Sequence, residues 1–113
     1  MPRKEEKTSL GLKENVEALL AYLLTWLTGI IFYLIEKRSK FVKFHALQSA
    51  ITFLTLQVAG IVLGMIPLFG FVLSGIIGLV TIVLWIVCMI KAYRNEWFKL
   101  PVFGEIAEKR VKA

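Results

Sequence analysis

The stretch ALQSAITFLTLQVAGIVLGMI, residues 46–66, has 21 residues and no charged side chain. After a gap of four residues, the stretch FVLSGIIGLVTIVLWIVCMI, residues 71–90, has 20 residues and again no charge. A helix rises about 1.5 Å per residue, so roughly 20 residues cross the ~30 Å hydrocarbon core of a bilayer. Each stretch is therefore predicted to be a transmembrane helix.

A third apolar run lies nearer the N-terminus, at residues 16–35, and Glu17 is its one acidic side chain. With 20 residues it is longer than the apolar region of a signal peptide, about 7–15 residues. It is also followed by Glu36-Lys37-Arg38 instead of a small-residue cleavage site. Hydrophobic residues make up 58% of the chain, against about 45–50% in typical soluble domains. The sequence predicts an all-α membrane protein, a single domain at residues 1–113 with three transmembrane helices.

Basic residues are distributed unequally around these spans, which leave a loop at residues 36–45 and an interfacial C-terminal tail at residues 91–113. With three crossings, the N-terminal tail and the 67–70 turn share one side, which carries four basic residues: Arg3, Lys4, Lys7 and Lys13. The loop and the C-terminal tail share the other side, which carries ten: Lys37, Arg38, Lys40, Lys43, Lys91, Arg94, Lys99, Lys109, Arg110 and Lys112. Since cytoplasmic loops are enriched in Lys and Arg, we expect a multi-pass cell-membrane protein with its N-terminus outside and its C-terminus cytoplasmic.

The net charge of +6 is explained by this topology and by contact with anionic membrane lipids. We expect no nucleic-acid partner.

The segment KRSKFVKFHALQSA, residues 37–50, gathers four basic residues and the chain's single histidine before the second span. Ser39 is predicted to cap a helix that begins near Lys40. On that helix the lysines extend toward lipid phosphates while Phe41 and Phe44 enter the acyl boundary. His45 and Gln48 lie about one turn apart on one face of the helix.

The four-residue link between the second and third spans forces an antiparallel helical hairpin. Small residues are placed symmetrically about this link, so that Gly64 is expected near Gly70 and Gly60 near Ser74; Gly78 continues the row. Because lipid offers little hydrophobic drive for helix association, close approach over small residues is expected to hold the hairpin together.

Three polar residues are expected near mid-depth of the spans: Thr25, Gln57 and Thr81. An amide facing lipid is costly, so Gln57 is predicted to point inward. One interpretation is that it joins the helices by hydrogen bonding, and the other is that the three residues line a polar pathway.

The sequence shows no catalytic constellation, and we expect neither a metal nor a cofactor. One histidine and one cysteine, Cys88, make no zinc site, because such sites need three or four ligands. No Gly-rich phosphate loop or serine nucleophile motif is present. The protein is therefore expected not to be an enzyme.

The tail after Arg94 is too apolar for a free cytoplasmic segment. Pro101 and Gly104 interrupt it, and a short helix is predicted from Gly104 onward. The tail is expected to fold back on the interface, as a membrane-surface anchor or as a docking surface for a partner protein.

Two stretches, KFVKFHALQSAITF (residues 40–53) and IKAYRNEWFKLPVFGEIAEK (residues 90–109), resemble an uncharacterised family of small prokaryotic multi-pass membrane proteins. That family is related to the Tic-type import component of the chloroplast inner envelope. The resemblance implies a helical membrane fold and a link to protein translocation or membrane insertion.

These observations predict a non-enzymatic scaffold or partner-binding subunit, whose partner is a protein or a second copy of the chain. The expected interaction surface consists of Phe41, Phe44, His45, Gln48, Pro101 and Gly104. The alternative function is a small oligomeric transporter or channel.

Overall fold

The computed structural model describes residue 11 and residues 13–112. These residues form helices and no strand. The five helices are α1 (Glu14–Leu23), α2 (Trp26–Ile35), α3 (Lys40–Gly64), α4 (Gly70–Tyr93) and α5 (Phe103–Lys112). The predicted all-α architecture is confirmed for the described part of the chain.

Helices α3 and α4 form the predicted antiparallel hairpin, with 25 and 24 residues. Ser39 caps α3, because its hydroxyl accepts a hydrogen bond from the backbone N–H of Val42 at 3.1 Å. The link between the helices is so tight that a Cβ on Gly70 would overlap the backbone carbonyl of Gly64. Both helices are long and apolar enough to cross a membrane.

The third predicted span is wrong, since residues 16–35 do not form one helix. The chain breaks at Leu24 and Thr25, and Thr25 has φ 56°. The resulting helices α1 and α2 have 10 residues each, about 15 Å, which is half of the ~30 Å hydrocarbon core. Among the described residues, two helices rather than three are candidates to span the bilayer.

Helices α1 and α2 form a re-entrant hairpin, which enters and leaves at one end of the molecule. A continuous helix would separate Glu14 from Glu36 by about 33 Å. Instead, both side chains reach Ser39: its hydroxyl donates to Oε2 of Glu14, and its backbone N–H donates to Oε2 of Glu36 at 2.7 Å. The bend between α1 and α2 and the bend between α3 and α4 therefore lie at different depths.

Polar groups at the tip of the re-entrant hairpin find partners from several helices. The carbonyl of Tyr22 accepts from the indole N–H of Trp85 at 2.7 Å, and that of Thr25 accepts from the hydroxyl of Ser49 at 2.8 Å. The hydroxyl of Thr28 accepts the N–H of Leu24 at 3.0 Å. Broken helices are tolerated at membrane depth only when their freed backbone groups are satisfied in this way.

The closest backbone approach between α2 and α3 occurs at Gly29. A Cβ there would lie 2.7 Å from the carbonyl oxygen of Ala46 and 2.8 Å from the nitrogen of Ala50. Glycine is required at this crossing because both neighbours are backbone atoms. The re-entrant hairpin thus packs tightly on the first half of α3.

The described charged residues gather at the end of the molecule that holds the start of α1, the 36–39 loop and α5. Residues 44–90 carry no charge, and Asn15 Nδ2 donates to the carbonyl of Tyr93 at 2.9 Å, which joins the start of α1 to the end of α4. We call this end, formed by residues 13–17, 36–45 and 91–112, the head. Arg3, Lys4 and Lys7 of the predicted N-terminal side lie outside the described residues.

The other end of the hairpin exposes large apolar side chains. Phe71 is 89% exposed, and Leu79 is 66% exposed. Buried residues of α3 fall between Phe41 and Phe53, in the half that the re-entrant hairpin covers. Exposed apolar surface of this extent is typical of lipid-facing helices.

Candidate functional site

A buried polar cluster lies where the re-entrant hairpin, α3 and the C-terminal segment meet. It consists of Tyr22, His45 and Gln48, all fully buried. Tyr22 comes from α1, and the other two come from one face of α3, as their spacing predicts. We call these three residues the polar cluster.

Both ring nitrogens of His45 are engaged. Nε2 lies 2.8 Å from the backbone carbonyl of Glu96, which can only accept, so Nε2 carries the proton. Nδ1 of the neutral ring then accepts from the hydroxyl of Tyr22 at 2.7 Å. His45 therefore presents no free nitrogen to a metal ion or a substrate.

Gln48 makes three hydrogen bonds at once. Its Nε2 donates to the hydroxyl of Tyr22 at 2.8 Å and to the carbonyl of Phe98 at 3.0 Å. Its Oε1 accepts the backbone N–H of Leu100 at 2.9 Å. This pattern fixes the amide orientation and ties the C-terminal segment to both α3 and α1.

Aromatic rings close the cluster toward the head. Trp97 packs against Phe41 and Phe44, with ring centroids 5.5 and 5.0 Å apart. The same two phenylalanines flank the ring of His45, at 4.7 and 5.0 Å. Gly104 closes the other side, since a Cβ there would lie 2.7 Å from Oε1 of Gln48.

The structure brings the six predicted interaction residues to one region, mostly in the interior. Phe41, Phe44, His45, Gln48 and Gly104 are buried, and Pro101 is exposed. The first four lie on α3 and hold the C-terminal segment. Their arrangement makes an internal docking site for residues 96–104 of this same chain.

The predicted packing residues occupy different positions along the α3–α4 hairpin. Gly64 lies against Gly70 and against Ser74, whose Cβ would be 3.5 Å from a Cβ at Gly64. Gly60 faces Ile77 instead of the expected Ser74, and Gly78 faces open space.

The three polar mid-depth residues are not hydrogen-bonded to one another in the described contacts. Gln57, which is predicted to point inward, is instead exposed, and its Oε1 accepts from the indole N–H of Trp26 at 2.8 Å. Thr81 donates to the carbonyl of Ile77 on its own helix at 2.8 Å. Thr25 lies at the tip of the re-entrant hairpin and donates to the carbonyl of Leu24 at 2.7 Å.

Sequence reasoning missed Tyr22, Gly29 and Trp85, which build the re-entrant hairpin and its tip. A signal for them existed in the first apolar run, where Thr25, Trp26 and Thr28 place polar groups near the middle. Tryptophan favours membrane interfaces, so Trp26 at mid-depth argued against a simple span. Among the residues that the structure describes, no group of three His, Cys, Asp or Glu side chains is placed to hold a metal ion.

A family model matches residues 8–107, and it describes the MamF/MmsF family, the magnetosome magnetite crystal formation protein family. The chain belongs to this family. Of the two stretches that carry the sequence resemblance, residues 40–53 lie within the match and residues 90–109 lie within it up to residue 107; the two stretches meet in the polar cluster.

Archaeal relatives cover nearly the whole chain. It is 59% identical over 103 residues to a UPF0132 membrane protein of Methanocaldococcus jannaschii, with 91% of this chain and 93% of the relative covered. It is 56% identical over 100 residues to a UPF0132 membrane protein of Archaeoglobus fulgidus, with 88% and 97% covered. No solved structure matches the chain with significance.

The comparisons correct one prediction and support another. The expected relationship to the Tic-type chloroplast import component is wrong, because the matching family is MamF/MmsF and the relatives are UPF0132 membrane proteins. The names of these relatives and the two apolar helices together identify a membrane protein.

Proposed function

We propose that this MamF/MmsF family member is a non-enzymatic membrane scaffold with two spans, α3 and α4, and a folded head on the cytoplasmic side. The observation that carries the proposal is the docking of residues 96–104 on the polar cluster, which makes the head one folded unit with the membrane helices. The head then offers a fixed surface to a protein partner.

The orientation follows from the charge distribution. With two spans, both described ends of the chain lie on the head side, and residues 44–90 leave the opposite turn without any basic residue. The positive-inside rule therefore favours a cytoplasmic head and, in contrast to the three-span prediction, a cytoplasmic N-terminus.

Cysteine labelling tests this topology. In a Cys88→Ala background, single cysteines replace Lys13, Lys109 or Leu68, all three exposed in the structure. We expect a membrane-impermeant reagent added outside intact cells to label the cysteine at 68 alone. Labelling of the cysteines at 13 and 68 together, with 109 protected, would restore the three-span topology.

The partner surface is proposed to consist of apolar side chains that the head leaves exposed. Val102 is 63% exposed and Ile106 is 43% exposed, and both lie next to the docked segment. Apolar side chains at a polar head are suited to a protein interface or to the membrane interface.

Photocrosslinking in cells separates these two interfaces. A photoreactive residue at Val102 or Ile106 is expected to give a reproducible protein adduct, with Ala107 on α5, fully buried, as the matched control. Adducts to lipid alone at positions 102 and 106 would refute partner binding and leave a surface anchor. An adduct of doubled chain mass would identify the partner as a second copy.

An oligomeric channel is the second candidate, favoured by the break at the tip of the re-entrant hairpin. Broken helices line substrate sites in many transporters. Against this, the carbonyls of Tyr22, Leu24 and Thr25 already accept side-chain hydrogen bonds. Ion flux through reconstituted vesicles that falls in Gln57→Leu would favour the channel, and no flux in either form would exclude it.

A further inference from the structure

The two halves of the molecule differ in their cross-section in the plane of the membrane. On the head side, α1, α2, α3 and α4 run together, because α1 and α2 pack on the first half of α3. The deepest described hydrogen bond from the re-entrant hairpin to α3 joins Trp26 to Gln57. Beyond Gln57, the remaining turns of α3 have α4 as their neighbour, as Gly60 facing Ile77 and Gly64 facing Ser74 show.

The difference in cross-section follows from helix dimensions. A helix with its side chains is about 10–12 Å in diameter and so occupies roughly 100 Å² of the membrane plane. Four helices lie in the head-side leaflet and two in the opposite leaflet. The molecule therefore displaces about 200 Å² more lipid area on the head side.

This shape is fixed by contacts that hold the re-entrant hairpin in place. At its base, Ser39 binds the carboxylates of Glu14 and Glu36. At its tip, Ser49 and Trp85 satisfy carbonyls that a straight helix would satisfy internally. Straightening α1 and α2 into one span would break the contacts of Glu14 with Ser39, of Thr25 with Ser49 and of Tyr22 with Trp85.

We propose that the protein is a membrane wedge that binds preferentially to, and stabilises, membrane curved so that the head-side leaflet is convex. The recognised ligand is the curved lipid bilayer itself. A molecule that is wider in one leaflet expands that leaflet, and an expanded leaflet is accommodated on the outside of a bend. The proposal rests on the two-span topology above, but it does not require that the head binds a partner protein.

Sorting between vesicles of different diameter tests the wedge. The full-length chain with Cys88→Ala and Lys109→Cys is labelled with a dye and reconstituted into vesicles of mixed size. A membrane-impermeant quencher then distinguishes head-outside from head-inside molecules on each single vesicle. We expect the surface density of head-outside molecules to rise severalfold from the largest to the smallest vesicles, and that of head-inside molecules to fall.

The opposite response of the two orientations is the internal control. Equal density at all diameters, or enrichment of both orientations on small vesicles, would overturn the proposal. Insertion of α5 into the head-side leaflet would also sort head-outside molecules, so Ile106→Glu is measured in parallel. Ile106 is exposed on α5, and sorting must survive its replacement; loss of sorting in this variant would assign the effect to α5 and refute the wedge. If sorting fails while the labelling test still places the cysteine of Lys13→Cys on the head side, the wedge is rejected and the two-span topology stands.

Discussion

Replacing Gln48 by leucine should release the C-terminal segment from α3. Leucine has a similar size but no polar atoms, so the carbonyl of Phe98 and the N–H of Leu100 both lose their partner. Each buried group left unsatisfied costs about 1–3 kcal/mol, and the lost bond to Tyr22 adds about 0.5–1.5 kcal/mol. We expect the free energy of unfolding to fall by about 5 kcal/mol.

Gln57→Leu is the matched control, because it makes the same change in the same helix. Gln57 is exposed and accepts one hydrogen bond, from the indole of Trp26. Interhelical hydrogen bonds in membranes average about 0.6 kcal/mol, so its loss should cost about that amount. The difference in cost comes from the burial and the number of bonds at Gln48.

Two measurements check this difference. Unfolding in mixed micelles with a rising fraction of denaturing detergent, followed by circular dichroism, gives the free energies. Hydrogen exchange at the Leu100 amide reports the docked segment itself, and protection is expected in the parent and in Gln57→Leu but not in Gln48→Leu. Equal destabilisation by the two substitutions, or retained protection of the Leu100 amide in Gln48→Leu, would refute the reasoning.

Two further predictions concern the re-entrant hairpin. Gly29→Ala places a methyl 2.7 Å from the carbonyl oxygen of Ala46 and should lower the free energy of unfolding by about 1–3 kcal/mol. Gly75→Ala, whose methyl meets nothing within 4 Å, should be neutral or stabilising in the same detergent titration. Equal effects of the two substitutions would show that helix propensity, and not the close helix crossing, determines the change in stability. Ser39→Ala removes the side-chain cap that accepts the N–H of Val42, and it should lower the free energy of unfolding by about 1 kcal/mol or more in the same assay. Ser74→Ala is the control, because Ser74 lies within α4 and caps no helix. No measurable loss would show that the cap is replaceable.

The parts of the fold that depend on local sequence were predictable. Helices α3 and α4 follow from length and apolar character, the start of α3 follows from Ser39, and α5 begins at Phe103, next to the predicted Gly104. Each of these features depends on the residues of the helix itself or on residues within one turn of its end. Short-range chemistry is enough to specify them.

Local sequence carries a weak signal against a simple span, in the polar groups of Thr25, Trp26 and Thr28, but it does not specify a break at Thr25. A non-glycine residue at φ 56° is uncommon, and no Gly or Pro marks the position. The break is stabilised by Ser49 and Trp85, which are 24 and 63 residues away along the chain. A continuous apolar run long enough to span the bilayer was therefore divided by tertiary hydrogen bonds.

The candidate site was predicted in composition but not in role, and its geometry explains why. Residues 96–100 form neither helix nor strand, and the carbonyls of Glu96 and Phe98 and the N–H of Leu100, at every second residue, all face α3. His45 and Gln48, one turn apart on α3, bind this edge. A segment outside helices and strands must find other partners for its buried backbone groups, and here the side chains of α3 supply them. Backbone partners leave no trace in the identity of residues 96–100, which is why the sequence alone predicts that His45 and Gln48 face another molecule.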